Sequence, residues 1–62
     1  MTLNIHITTD NAAFETQPQY ETARILRELA QRLEDRGMQK GDVARLNDIN
    51  GNKVGTFTIS RH

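Results

Sequence analysis

Few residues of this 62-residue chain have the types and spacing that catalysis requires. The chain contains two histidines and no cysteine. His6 lies in a segment whose apolar and polar residues alternate, and the sequence places no carboxylate or thiol beside it that would make it a general base. His62 is the last residue of the sequence. We therefore expect no catalytic residue and no enzymatic activity.

The segment DINGN, residues 48–52, carries side-chain oxygens that could bind calcium. An EF-hand loop, however, alternates its acidic ligands and ends on a bidentate glutamate, whereas Lys53 and Val54 follow here. Gly51 and Gly55 do not form a phosphate-binding loop, because no predicted helix follows them. Without cysteine, the chain also lacks a cysteine–histidine cluster at zinc spacing. We expect neither a metal nor a cofactor.

Basic side chains are the candidates for a nucleic-acid site. Arg24 and Arg27 belong to a predicted helix and Lys53 to a predicted hairpin, and nucleic-acid binders gather such residues on one face. The helix arginines alternate with glutamates, and the eight basic residues of the chain balance eight acidic ones. No net positive field therefore attracts phosphate. Nucleic-acid binding, or modulation of transcription, is kept as the alternative hypothesis.

The dominant predicted element is an amphipathic helix from about residue 19 to 36. Its apolar side chains recur at helical spacing, which predicts a buried stripe. Pro18 suits the first turn, Thr16 and Gln19 have the spacing of a capping box, and Gly37 can end the helix in a left-handed conformation. The stripe comprises Ala23, Leu26, Ala30 and Leu33, widened by Ile25 and Leu29.

Three segments show the patterns of β-strands. Leu3, Ile5 and Ile7 alternate with polar residues, which predicts the first strand. Residues 43–50 and 53–60 flank Asn50-Gly51-Asn52, a strong hairpin signal. If Gly51-Asn52 is a two-residue loop, the apolar positions of the two strands share one side. In that register Leu46 lies opposite Phe57, Ala44 opposite Ile59, Ile49 opposite Val54 and Asp48 opposite Gly55.

The order of elements predicts a single α+β domain over residues 1–62 with βαββ topology. We expect a three-stranded antiparallel sheet, with strand three between strands one and two and the helix on one face. Strand two in the middle is the open alternative. Phe14, in a helical turn capped by Asp10 or Asn11, is expected to close one end of the core. The predicted core comprises Leu3, Ile5, Ile7, Leu46, Phe57 and Ile59 of the sheet with Ala23, Leu26, Leu29, Ala30 and Leu33 of the helix.

The sheet face opposite the helix is the predicted binding surface. The register places Ile49, Val54, Thr56 and Thr58 on that face, as a candidate protein-binding site. A charge at Val54 or Thr56 would then break association without unfolding the domain. A β-bulge near Gly55 is the alternative, because it would turn the pair of Ile49 and Val54 inward.

Small size favours association. A domain of this length buries only about 60% of its unfolded surface, and without cysteines no disulfide compensates. We therefore expect a protein partner or a second copy, with a homodimer favoured. No apolar stretch approaches the roughly 20 residues that span a bilayer, and no signal-peptide pattern is present, so the expected location is the cytoplasm.

Three stretches, TTDNAAFE, ARILRELAQRLE and LNDINGNKVGTFTI, cover most of the chain. In these stretches the chain resembles small uncharacterised proteins encoded in tailed phages and prophages. The resemblance implies an accessory protein that works in the host cell cytoplasm, where such proteins often bind and inhibit a host protein or modulate transcription. It supplies no functional residues. We therefore expect a small, non-catalytic protein–protein interaction module, of the phage accessory type.

Overall fold

The computed structural model describes residues 1–61 and contains one antiparallel sheet with a helix on one face. The strand order is β1-β3-β2, so the last strand is central and the other two form the edges. The predicted α+β class, the βαββ order and the central position of the third strand are confirmed. The elements are β1 (Thr2–Ile7), a 3-10 turn (Ala12–Phe14), α1 (Pro18–Arg36), β2 (Val43–Asn47) and β3 (Lys53–Ser60).

The ends of α1 agree closely with the sequence. Pro18 begins the helix after Gln17, which is the N-cap residue, so Thr16 and Gln19 do not form the predicted capping box. At the other end, Gly37 has a φ of 75° and donates its amide to the carbonyl of Leu33 at 2.8 Å. Only glycine adopts this left-handed conformation without strain, which explains why the helix stops here.

The buried face of α1 differs from the predicted stripe. Ile25 and Leu29 are its centre, at 2% and 4% exposure, whereas Leu26 is 42% exposed and Ala30 is also exposed. The helix is rotated because its Arg24 side is bound to the end of β2, where the guanidinium donates to the carbonyl of Asn47 at 3.2 Å. The flank of α1 that carries Leu26 and Ala30 therefore faces away from β2, towards the β1 side of the sheet.

The core lies between α1 and the β2–β3 half of the sheet, closed at one end by the 3-10 turn. Phe14 is 2% exposed, which confirms its predicted role. Ile5 was predicted to be core but is 42% exposed, because α1 does not cover β1. The buried apolar residues are Phe14, Ile25, Leu29, Ala44, Leu46, Val54, Phe57 and Ile59, with Leu3, Ile7, Ala13 and Leu33 packed against them.

The register of the β2–β3 hairpin differs from the predicted one. Ala44 pairs with Phe57 and Leu46 with Gly55. The loop is longer than two residues, because the amide of Asp48 donates to the carbonyl of Asn52 at 2.9 Å and closes a three-residue turn over residues 49–51. Gly51 has a φ of 86°, as the last position of such a turn requires. Because the loop is longer, every residue pair between β2 and β3 differs from the predicted one.

A register shift between Leu46 and Asn47 follows the turn. Asn47 pairs with Lys53 and Leu46 with Gly55, so Val54 is an extra residue on β3. This is the β-bulge that the sequence left open as an alternative. Because a bulge reverses the alternation of side chains, it turns Val54 into the core.

Candidate protein-binding surface

The sheet face opposite α1 is lined by polar side chains. Thr56 and Thr58 of the central strand lie on it and are half-buried. Cross-strand pairing adds Asn4 and His6 from β1, and Val43 and Arg45 from β2, to the same face. Among the described residues, no helix covers this open face. Its hydroxyl, amide and imidazole groups are arranged for hydrogen bonding, with Val43, 67% exposed, as the apolar member.

Contrary to the prediction, Val54 does not lie on the open face. Its exposure is 7% and it packs within the core, because of the β-bulge described above. Ile49 is also separated from Thr56 and Thr58, because its backbone amide is bound to the helix, at Glu21. The four predicted site residues therefore form no single patch. Thr56 and Thr58 remain on the open face, and Ile49 lies at the turn of the hairpin.

Ile49 lies in the turn that joins the two hairpin strands, and it is 70% exposed. Its amide donates to the Glu21 carboxylate at 2.8 Å. Tyr20, the residue before Glu21, is 64% exposed. Both side chains therefore belong to the same end of the molecule, where the hairpin turn meets the first turn of α1. We refer to Tyr20 and Ile49 as the loop-end surface.

The Asp48 carboxylate holds the turn in shape. It is 4% exposed and accepts the amides of Asn50 and Asn52, both at 2.9 Å. It also accepts the side-chain amides of Asn11, at 2.6 Å, and Asn52, at 3.3 Å. Burial alone would raise the pKa of Asp48, but the hydrogen bonds from Asn52, Asn11 and Asn50 favour its charged form and lower the pKa. The turn is thereby fixed to the segment that precedes the 3-10 turn.

Glu21 and Arg24 attach the same turn to the helix. Glu21 is 8% exposed and accepts Nε of Arg24 at 2.7 Å and Nη2 at 3.1 Å. These bonds from Arg24 lower the pKa of Glu21 against the effect of burial, and the Ile49 amide lowers it further. Arg24 also pairs with Glu28 at 2.9 Å, and its carboxylate neighbours raise its pKa. Hydrogen bonds to α1 and to the segment before the 3-10 turn therefore both hold the loop-end surface in place.

Sequence reasoning missed this polar network. The signal for half of it is present, since an aspartate followed by asparagines two and four residues later is typical of a side chain that caps its own turn. Glu21 gave no such signal, because it lies among exposed charges in the sequence. Its partner, the amide of Ile49, is 28 residues away and is brought near only by the fold.

Acid should weaken the network. Both carboxylates have lowered pKa values in the fold, so their stabilising contribution is complete above their ordinary values of 4.5 and 3.8 and is lost as the pH falls through the folded values. We expect a melting temperature that is nearly constant from neutral pH to about 5 and then falls steeply below about 4. Circular-dichroism melts over this range measure it.

Asp48→Asn tests which group is responsible for that acid dependence. The amide keeps one acceptor oxygen, so either the backbone amides of Asn50 and Asn52 or the side-chain amides of Asn11 and Asn52 lose their acceptor. The melting temperature at neutral pH should therefore fall by roughly 5–10 °C and its acid dependence should flatten. Glu34→Gln, at an exposed carboxylate, is the matched control and should follow the wild type. An Asp48→Asn profile parallel to the wild-type profile would contradict this assignment.

The candidate nucleic-acid residues lie on different parts of the molecule. The guanidinium of Arg24 is bound by Glu21, Glu28 and the Asn47 carbonyl. Arg27 is exposed on the side of α1 away from Ile25, and Lys53 is exposed at the start of β3. The guanidinium of Arg24 is thus already bound by carboxylates, which compete with phosphate for the same donors.

Within the described residues, His6 does not form a defined binding site. Nε2 of His6 lies 3.5 Å from the Thr8 hydroxyl, at an exposed position beside a shallow depression that Lys53 and Thr56 also line. His62 lies outside the described residues. Within residues 1–61, no three histidine or carboxylate side chains are arranged to hold a metal ion. Nor is any helix in this range long and apolar enough to cross a membrane.

Comparison of the chain with protein-family models, with curated proteins and with solved structures gave no match. The resemblance to phage-encoded proteins thus stays a prediction from the sequence.

Proposed function

We propose that this protein is a small, non-catalytic interaction module that binds another protein through the loop-end surface. The observation that carries the proposal is Ile49, an aliphatic residue 70% exposed on a turn whose backbone is fixed by hydrogen bonds to two buried carboxylates. The fold gains nothing from exposing it. A partner that buries an isoleucine gains about 1.5–3 kcal/mol.

The rigidity of the turn supports a binding role. Ordering a flexible loop on binding costs free energy, and a turn already held by Asp48 and Glu21 avoids most of that cost. Tyr20 at the same end adds an amphipathic ring, a residue type enriched among the residues that dominate binding energy. An apolar centre of this kind is commonly bordered by polar groups. Here Asn50 and Asn52 of the turn supply them.

The partner class follows from the absence of a net charge field. Because eight basic residues balance eight acidic ones, no net charge attracts a polyanion. We therefore expect the chain to bind a protein surface with an apolar pocket. If the chain is a phage accessory protein, as the resemblance implies, the partner is a host protein and the place of binding is the host cytoplasm. Nucleic-acid binding through Arg24, Arg27 and Lys53 is the competing proposal, in which affinity falls steeply with salt.

A pull-down with a matched pair of variants tests the proposal. Tagged wild-type protein, Ile49→Asp and Val43→Asp are each incubated with host lysate, with and without nuclease treatment, and captured proteins are quantified by mass spectrometry. Val43 is a fair control because it is 67% exposed, also aliphatic and on the open sheet face. We expect one protein to be captured at fixed stoichiometry by the wild type and by Val43→Asp, and at least about tenfold less by Ile49→Asp.

Two outcomes would contradict the proposal. Equal capture by Ile49→Asp and the wild type would remove Ile49 from the binding site. Loss of every captured species on nuclease treatment would favour the basic residues, and the Arg27→Gln variant would then be the one that loses binding. Melting curves of all variants establish that a lost interaction is not a lost fold.

A further inference from the structure

The two edges of the sheet are protected to different degrees. The β2 edge carries the charged residue Arg45 and ends next to the β-bulge, features that prevent another strand from adding to it. The β1 edge, TLNIHI, contains no aspartate, glutamate, lysine, arginine or proline, and its six residues pair with β3 without a register shift. A regular, uncharged edge is open to pairing with a further strand.

The direction of the β1 backbone identifies its free groups. The amide of Thr8 donates to the carbonyl of Val54 at 2.7 Å, and the carbonyl of His6 lies against Gly55. Even-numbered residues therefore direct their polar groups to β3. Since these groups alternate along a strand, the amides and carbonyls of Leu3, Ile5 and Ile7 point outward at the edge.

The side chains above this edge are apolar as well. Leu3, Ile5 and Ile7 are on the helix side of the sheet, because they pair with Ile59, Phe57 and Gly55. Ile5 and, on α1, Leu26 are each 42% exposed. The α1 flank on this side consists of uncharged residues, whereas the opposite flank carries the charged residues described above. That flank comprises Thr22, Ala23, Leu26, Ala30 and Leu33.

We propose that β1 pairs with β1 of a second copy, antiparallel and in register about a two-fold axis at Ile5. This register sets Ile5 opposite itself and Leu3 opposite Ile7 of the second copy, so every outward amide and carbonyl of the strand finds a partner. On the helix side all facing side chains are apolar. On the other side Asn4 meets His6 of the second copy. A two-fold interface requires such self-complementarity, which an unrelated strand would match only by chance.

The resulting dimer is a continuous six-stranded sheet with both helices on one face. The Leu26 flanks face the axis on the same side of the sheet as the paired Ile5 side chains. Uncharged strands bring no like charges together, in contrast to a pairing through β2, which would place two Arg45 side chains close together. The monomer exposes 4494 Å², more than the roughly 4,100 Å² typical of a monomeric protein of 7.1 kDa. Dimerisation would bury part of this excess surface.

Cross-linking tests the register directly. The chain has no cysteine, so Ile5→Cys introduces a single thiol. Directly opposed residues of a hydrogen-bonded antiparallel pair have Cα atoms about 5.5 Å apart, within the range a disulfide spans. We expect mild oxidation to convert Ile5→Cys almost completely to a covalent dimer, and Val43→Cys, at the other edge, much more slowly. Equal rates for the two variants would overturn the proposal.

Sizing without covalent chemistry provides the second measurement. Sedimentation of the wild type, in a series reaching about 1 mM, should show a mass rising towards twice 7.1 kDa, as expected for a weak, small interface. Ile5→Lys and Leu26→Lys should each remain at the monomer mass, whereas Val43→Lys dimerises. A monomeric wild type at every concentration would overturn the proposal, and so would dimerisation of both Ile5→Lys and Leu26→Lys.

This surface is separate from the loop-end surface, so the two proposals fail independently. Ile49→Asp should still dimerise, and Ile5→Lys should still capture the partner protein. If Ile5→Lys loses the captured protein while the wild type is monomeric, the β1 edge binds a foreign strand and both proposals are wrong.

Discussion

Gly55→Ala should destabilise the protein enough to remove its cooperative melting transition or lower the midpoint by at least about 10–20 °C. An added Cβ would overlap the carbonyl oxygen of His6 and would lie 2.9 Å from its carbonyl carbon and 3.0 Å from Cα of Ile7. All three atoms are backbone, so no side-chain rotation relieves the clash. β1 would have to move away from β3, losing the pairing that holds it in the sheet.

The size of this effect follows from the small stability available. A domain of 62 residues has a total of about 3–9 kcal/mol, whereas overpacking costs about 1–3 kcal/mol even where side chains can adjust. Gly37→Ala is the control, since an added Cβ there meets open space and only the positive φ is strained. It should cost about 1 kcal/mol. Similar melting temperatures for the two variants would show that contact with β1 is not what requires glycine at position 55.

Val54→Asp should unfold the domain. The side chain is 7% exposed and packs in the core among apolar residues. An unpaired carboxylate buried among apolar groups costs several kcal/mol, comparable to the whole stability of the domain. The sequence alone had predicted that this substitution breaks association and spares the fold. The β-bulge reverses that expectation.

Val43→Asp is the matched control, because it places the same charge on the same sheet at a position 67% exposed. Its far-ultraviolet circular dichroism and melting curve should resemble those of the wild type. Val54→Asp should show neither a strand signal nor a transition. A folded Val54→Asp variant would place Val54 on the surface and restore it to the predicted site on the open face.

Local sequence patterns determined the elements of this protein. The alternation of Leu3, Ile5 and Ile7, the helical spacing that ends at Gly37 and the turn residues around Gly51 each depend on interactions within a few residues. The helix bounds, the strand positions and the βαββ order follow from them. The central position of β3 was favoured, since it allows every neighbouring pair of strands to be antiparallel, but the structure decided it against strand two in the middle.

Tertiary interactions decided what lies on each surface. Asp48 bonds Asn11, 37 residues away, and its bonds to Asn50 and Asn52 brace a longer turn than the sequence predicted. One extra residue in the turn and one in the bulge were enough to bury Val54, because the side chains of a strand alternate with a period of two.

The orientation of the helix was decided in the same way. Its sequence contains two overlapping apolar stripes, and periodicity cannot choose between them. The bonds from Glu21 to Ile49 and from Arg24 to Asn47 draw one flank over β2 and leave Leu26 uncovered beside β1. The sequence therefore determined which elements form, while contacts between distant residues determined which side chains remain free to bind.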